Sequence, residues 1–181
     1  MSEKYKIRDP DAMYFVTMTV VGWVDLFTRP ELAHVIINSL RHCQREKGLI
    51  IHSWCIMPSH LHMIISSTSD LSAVLRDFKK FTSKELVKTI QNIHESRRGW
   101  ILDLFSEVAD GLNRTRYYKV WQDGNHPIQL LNLAMTKQKM DYIHNNPVAA
   151  EIVDEPGEYL FSSARDYYTK KKGYLQLVLI E

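Results

Sequence analysis

Apolar residues along the chain follow the period of strands in some segments and the period of helices in others. Runs rich in β-branched and aromatic residues, which are typical of strands, occupy 13–23, 49–57 and 60–67. Apolar residues recur at helical spacing from Leu32 to Cys43 and from Leu71 to Ile90. Since only two residues separate the second and third runs, we predict that these strands form an antiparallel hairpin.

The second half of the chain carries weaker signals of regular structure. We predict a fourth strand over 114–124 and a helix over 128–146 that Pro147 ends. The order β-α-β-β-α-β followed by a helix matches the split βαβ, or ferredoxin-like, arrangement. We therefore predict an α+β fold with an antiparallel sheet and helices on one face. A single domain over 1–181 is expected, with 148–181 as a C-terminal extension.

Two histidines stand at the start of the third predicted strand, in the stretch "MPSHLHMIISS". Alternate residues of a strand share one face, so His60 and His62 are predicted to lie side by side, while Leu61 points into the core. Two imidazoles on one face can bind a divalent metal ion. They can equally be two polar residues on a hydrated sheet face, and this spacing alone does not decide between the two.

The predicted helix before Pro147 supplies a nucleophile and a third ligand. Tyr142 and Asn146 are four residues apart and share a helix face. The apolar residues Leu133, Met140 and Ile143 lie on a different face, which we expect to pack on the sheet. A cation held by two imidazoles and an amide oxygen would polarise a phosphodiester that the phenol attacks. The alternatives are that Tyr142 is a packing residue and Asn146 a helix stop.

The formal net charge of +2 neither requires nor excludes a nucleic-acid partner, because the local distribution of charge matters more. Positive side chains cluster on the second predicted helix and around the fourth predicted strand. On the helix they are interspersed with Asp77 and Glu85, so a solvated helix face is the alternative to a DNA-binding patch. The candidate DNA-binding residues are Arg76, Lys79, Lys80, Lys84, Arg114, Arg116 and Lys119.

The cysteines and the hydropathy pattern favour a cytoplasmic protein. Cys43 and Cys55 fall in apolar segments and are expected to be buried free thiols, as in a reducing compartment. No apolar run is long enough to span a membrane, and the first fifteen residues contain no apolar signal core. We therefore expect no membrane partner.

Three segments together resemble a known family. The stretch "CIMPSHLHMIISS" resembles the strand motif of the HUH endonuclease superfamily, in which two histidines flank a bulky apolar residue. The stretches "VWQDGNHP" and "MDYIHNNPVAAEIV" are similar to segments of the REP-associated tyrosine transposases, a single-tyrosine family within it. The resemblance extends from Met13 to about Val153. The combination of the three segments is specific, although each of them alone is loose.

The resemblance implies a bacterial, nucleoid-associated enzyme that cuts and rejoins single-stranded DNA, often near hairpins. His60 and His62 match the metal-binding histidines, and Asn146 matches the polar residue that completes the metal shell. Tyr142 matches the nucleophile, which forms a 5′-phosphotyrosine and frees a 3′-hydroxyl. Mg²⁺ or Mn²⁺ is the expected cofactor. A homodimer is expected, and the sequence leaves open whether each tyrosine serves its own chain or its partner.

Two other functions are compatible with the same residues. One is a catalytically inactive protein of the same fold that only binds hairpin DNA. The other is a metal-dependent hydrolase that uses water, with Tyr142 as a bystander. His126 and His144 also fall near the predicted site; either is a ligand or base, or a polar residue at the surface, which is the interpretation we favour.

Overall fold

The computed structural model describes residues 7–110, 118–169 and 171–180. Within these residues the strands are β1 (Tyr14–Thr19), β2 (Leu49–Met57), β3 (His60–Ser67) and β4 (Ile128–Gln129). They form one antiparallel sheet in the order β2–β3–β1–β4. The predicted hairpin of the second and third strands is confirmed, with Met57 paired to His60 across the turn.

Alternation along β1 and β3 gives the sheet two faces of different character. One face is apolar and fully buried, with the side chains of Tyr14, Val16, Met18, Leu61, Met63 and Ile65 in the main core. The opposite face carries Phe15, Thr17, His60, His62 and Ile64, because these residues occupy the intervening positions. The predicted side-by-side arrangement of the two histidines therefore follows directly from the strand period.

Two helices cover the apolar face, namely α1 (Pro30–Glu46) and α2 (Leu71–Asn92). Gly48 lies two residues after the end of α1 and has a φ of 69°. A Cβ at this position would lie 2.3 Å from Thr68 Oγ1. Asp70 caps α2, since its carboxylate accepts a hydrogen bond from the backbone N–H of Ala73 at 3.1 Å. A third helix, α3 (Arg98–Asp110), follows and buries Ile101 and Phe105 in the same core.

A further helix, α4 (Leu133–Ala149), packs on the opposite face of the sheet. The expectation of helices on one face thus holds for α1 and α2, while α4 covers the other face through Met140 and Ile143. Contrary to the expectation, Leu133, the first residue of α4, is exposed and does not join them. Asn132 caps the helix by accepting a hydrogen bond from the Met135 N–H at 2.8 Å.

Pro147 does not end α4, contrary to the prediction. The helix continues to Ala149 with the proline inside its last turn. A proline within a helix removes one backbone donor and crowds the preceding turn. So close to the helix end only one hydrogen bond is affected, and the N–H of Ala150 still caps the carbonyl of Asn146 at 3.0 Å.

The fourth strand lies later in the chain than predicted. The predicted strand over 114–124 falls partly on residues outside the described ones, and its described part joins the sheet only by a bridge between Trp121 and Val20. The strand that pairs with β1 on the side away from β3 is the two-residue β4, which lies in the segment predicted as helix. Helical spacing of Ile128 with the residues of α4 led to this error, because a two-residue strand has no periodicity of its own.

Residues after α4 cover the outer edge of β2. They include a short helix, α5 (Ala164–Tyr168), and an extended segment toward residue 180. The backbone hydrogen bonds run from Ile56 N–H to Phe161 at 2.8 Å, from Ser163 N–H to Trp54 at 2.9 Å and from Val178 N–H to Ile51 at 3.0 Å. The single domain with an extension over 148–181 stays a prediction.

The predicted α+β, ferredoxin-like fold is confirmed. Cys43 and Cys55 are buried and free, as expected. Among the described residues, no helix has the length and apolar character needed to cross a membrane.

Candidate active site

The two histidines form the centre of the polar face of the sheet. Their ring centroids are 4.6 Å apart, with the planes at 74°. His62 lies opposite Thr17 of β1, whose hydroxyl is hydrogen-bonded to His62 Nδ1 at 2.9 Å. His60 is oriented in the same way by Ser59, whose Oγ lies 3.1 Å from His60 Nδ1. Both rings are thus held by one nitrogen, which leaves Nε2 of each for another partner.

The Nε2 atom of His62 is buried and has no hydrogen-bond partner among the described residues. An orphaned buried nitrogen is costly unless a ligand uses it. Burial, the neighbouring His60 and the cation of Lys139 lower the pKa of His62 to about 3, and burial also lowers the pKa of His60. Both imidazoles are therefore neutral at neutral pH, which is the form that coordinates a metal ion.

Tyr142 lies beside this pair in the same chain. Its ring centroid is 5.3 Å from that of His62, and the two rings meet edge to face at 69°. Tyr142 is 51% exposed, although Met140 and Ile143 of the same helix are buried in the contact with the sheet. The structure thus brings an accessible phenol into contact with a neutral imidazole. The sequence prediction that the two elements converge is realised in the structure.

Lys139 is a site residue that sequence analysis missed. It precedes Tyr142 by one turn of α4, and its Nζ lies 5.8 Å from the Tyr142 ring centroid and 4.9 Å from that of Phe15. Phe15 in turn stacks on His62 at 5.6 Å, so the lysine stands at the edge of the histidine site. The three-residue spacing between Lys139 and Tyr142 was readable in the sequence as a shared helix face.

Asn146 lies one turn beyond Tyr142 on α4 and is half-buried. Its position on the tyrosine's side of the helix follows from the four-residue spacing. The described residues contain no cluster of three or more His, Cys, Asp or Glu side chains able to hold a metal ion. A metal at this site would consequently depend on the two imidazoles and on oxygen donors such as the Asn146 amide, and would keep open positions.

Comparison of the sequence with known protein families identifies the family of this chain. The sequence profile of the IS200-like transposases matches residues 13–111, which is more than half of the chain and includes both histidines. The chain belongs to the IS200-like transposase family. The match ends before α4, so it does not include Tyr142, Lys139 or Asn146. No curated protein matches the chain significantly.

A solved structure extends the likeness of this IS200-like family member to its full length. A REP-associated tyrosine transposase, solved bound to a REP hairpin, superposes with a TM-score of 0.62 at 20% sequence identity. The alignment covers 100% of this chain and 98% of that one. At this identity the likeness concerns the fold, and it confirms the topology that the sequence predicted.

A basic groove of about 990 Å³ lies between α2 and the segment 118–124. Arg76, Lys80, Lys84 and Lys88 line it from α2, and all four are exposed. The opposite wall pairs with the end of β1 through Val20 and Trp121, and His60 lies opposite Thr19 at that same end. The groove therefore adjoins the end of the sheet that carries the histidines. Five of the predicted DNA-binding residues line it, namely Arg76, Lys79, Lys80, Lys84 and Lys119.

Two of these groove residues, Lys79 and Lys119, are bound to other groups of the protein. The ammonium of Lys79 donates to the backbone carbonyls of Gln122 and Gly124, each at 2.7 Å, and burial lowers its pKa to about 8. Lys119 forms an ion pair with Asp123 at 2.8 Å. Lys79 therefore links α2 to the segment 118–124 on the other side of the groove. Arg114 and Arg116 lie outside the described residues.

His144 is not the surface residue that we favoured. It is fully buried, and burial lowers its pKa to about 4. Its Nε2 lies 2.7 Å from Ser163 Oγ and 3.1 Å from Ser53 Oγ, while Nδ1 lies 3.2 Å from the Tyr168 hydroxyl. It points to β2 and α5 because it lies on the sheet-facing side of α4 with Ile143. His126 is exposed, in agreement with the expectation.

Proposed function

We propose that the chain is a metal-dependent single-stranded DNA transposase and endonuclease that works through a 5′-phosphotyrosine. One observation carries this proposal. The Nε2 atom of His62 is buried without a partner among the described residues, and the His62 ring contacts the ring of the accessible Tyr142. Family membership supports the transposase role. The fold shared with a transposase bound to a hairpin supports hairpin DNA as the substrate class.

The donor set fits a weakly held divalent ion. His60 and His62 would provide two imidazoles and Asn146 an amide oxygen, for Mg²⁺ or Mn²⁺. When bound, the ion acts as a Lewis acid toward the scissile phosphodiester. Thr17 and Ser59 hold the rings by Nδ1, so that both Nε2 atoms remain available.

Tyr142 supplies the attacking oxygen. The phenol gives up its proton as its oxygen forms a bond to phosphorus, the bond from phosphorus to the 3′-oxygen breaks, and that oxygen takes up a proton and leaves as a 3′-hydroxyl. The phosphate remains on the tyrosine as a 5′-phosphotyrosine, which a 3′-hydroxyl can later attack to rejoin the strand. Lys139, one turn away, places a positive charge where the phosphate gains negative charge.

The test is a denaturing gel with hairpin oligonucleotides from the DNA that flanks the gene, labelled at the 3′ end, with Mg²⁺ or Mn²⁺. We expect a labelled band at the position of the protein, which disappears with chelator and in Tyr142→Phe. Tyr168→Phe is the matched control, because Tyr168 is 53% exposed and its ring centroid also lies 5.3 Å from a histidine, His144. That variant should form the adduct at the wild-type rate.

Each alternative function predicts a different outcome. Cleavage without a protein-linked band, unchanged in Tyr142→Phe, would contradict the proposal and identify a hydrolase that uses water. No cleavage under either metal, together with hairpin binding in a separate binding assay, would identify an inactive DNA-binding protein.

The homodimer stays a prediction, and the same assay tests it. Tyr142 contacts His62 of its own chain. If the active form keeps this arrangement, a mixture of Tyr142→Phe and His62→Ala chains stays inactive. Recovery of cleavage in the mixture would show a dimer in which the tyrosine serves the partner's site.

A further inference from the structure

Trp23 is an unusual residue beside the candidate site. Its side chain is 63% exposed, and its backbone has a φ of 57°, in the left-handed region. A bulky residue in this region is a genuine outlier, and such outliers concentrate at functional sites. Its ring centroid lies 5.7 Å from that of His60, edge to face at 74°.

The loop that presents Trp23 is firmly held. Its neighbours Val20, Val21 and Val24 are all buried in the main core. The Val20 N–H donates to the carbonyl of Ser59 at 2.9 Å, and Ser59 is also the residue that orients His60. The indole is consequently exposed on a rigid support whose position relative to the histidine is fixed.

The rings of the site form a row across this face of the sheet. Trp23 contacts His60, His60 contacts His62, and His62 contacts Tyr142, with centroid distances of 5.7, 4.6 and 5.3 Å. The nucleophile is therefore at one end of the row and the exposed indole at the other. When single-stranded DNA binds with one phosphate at the two histidines, the base next to that phosphate is within reach of the indole.

We propose that Trp23 is a stacking platform for an unpaired nucleobase next to the phosphate bound at His60 and His62. Every nucleobase has an aromatic face, so a single exposed indole grips single-stranded DNA with little sequence preference. Duplex DNA keeps its bases stacked on each other and offers none to the indole. Trp23 therefore favours single-stranded over duplex substrate at this site. The proposal rests on the proposed function, because that function places the phosphate at the histidines.

Fluorescence anisotropy with a labelled thymidine homopolymer tests the platform, with Mg²⁺ present and a probe that has no hairpin, so that no cleavage is expected. We expect Trp23→Ala to bind about 5- to 150-fold more weakly than the wild type, the factor that corresponds to one stacked base. Trp23→Phe should retain most of the affinity. Trp100→Ala removes a similarly exposed tryptophan of α3 and should bind as the wild type does.

The same measurement on a homopolymer without bases separates stacking from a structural effect. On this abasic probe we expect the wild type and Trp23→Ala to bind equally, because the base that the indole contacts is missing. The proposal is overturned if Trp23→Ala matches Trp100→Ala on the thymidine probe. It is also overturned if the loss persists undiminished on the abasic probe. Thermal unfolding of each variant confirms that the compared proteins are folded.

These outcomes are independent of catalysis. If the wild type forms no adduct in the gel assay but shows the Trp23-dependent and base-dependent affinity, the proposed reaction fails and the platform stands. If the wild type cleaves DNA and the variant binds normally, the platform fails and the reaction stands. A wild type that binds no single-stranded DNA overturns both.

Discussion

His62 and His144 are both buried histidines with lowered pKa values, yet their surroundings differ in one decisive respect. Both ring nitrogens of His144 have hydroxyl partners from Ser53, Ser163 and Tyr168. Only Nδ1 of His62 has a partner, and its Nε2 is orphaned among the described residues. Each ring is also edge to face with a half-exposed tyrosine. Burial and a lowered pKa are therefore common to both histidines, and the unpartnered Nε2 of His62 is what sets the two apart.

The largest expected effect is on cleavage, which we expect His62 to control and His144 not to control. His62→Ala should abolish cleavage, since no other imidazole replaces its Nε2. His144→Ala should leave the chemistry of the folded molecules within about tenfold of wild type, while it lowers the free energy of unfolding by roughly 2–4 kcal/mol. Cleavage rates and urea unfolding of both variants provide the measurement. Complete loss of cleavage in folded His144→Ala would contradict the distinction.

The pH dependence of stability gives the next largest effect. Burial lowers the pKa of His144 from its ordinary value of 6.5 to about 4 in the folded state. Between these two values the unfolded chain binds a proton that the folded chain excludes, so the free energy of unfolding falls as the pH falls from about 6.5 to about 4. The contribution of His144 is roughly 3 kcal/mol.

Urea unfolding across this pH window measures that contribution. His144→Gln has no titrating group at this position and should show a shallower pH dependence. An equally steep loss of stability in this variant would assign the dependence to other groups.

The smallest effect concerns the orientation of the His62 ring. Thr17→Val keeps the shape of the side chain and removes the hydroxyl bonded to Nδ1, so we expect a 10- to 100-fold loss in metal affinity or cleavage without a loss of stability. Thr19→Val is the matched control on the same strand face. Its hydroxyl makes no hydrogen bond to either histidine within the described part of the chain. Metal titration that gives equal affinities for the two variants would show that Thr17 does not orient the ring.

The positions that sequence analysis predicted best are those that depend on one local period. Alternation in a strand placed His60 beside His62, and four-residue spacing placed Asn146 on the face of Tyr142. Thr17 could not be found in this way, because its contact with His62 depends on the register between β1 and β3. The burial of His144 depends equally on α5, a five-residue helix without a sequence signal of its own.

The basic residues show a second limit of sequence analysis. Charge counting treats Lys79 and Lys80 alike, although one ammonium is bound to two carbonyls and the other side chain is exposed. The difference arises from where the segment 118–124 runs, which no pattern within α2 records. Sequence analysis also did not single out Trp23, because a tryptophan in an apolar run is typical of a buried core residue.

The covered edge of β2 has a consequence for shortened forms of the chain. Backbone groups of Ile51, Trp54 and Ile56 are paired with residues between 161 and 178. A protein cut before this segment would expose a long, apolar strand edge, which is a template for pairing with other chains. Loss of the last twenty or so residues is therefore expected to cause insolubility and aggregation, although none of the candidate site residues lies within them.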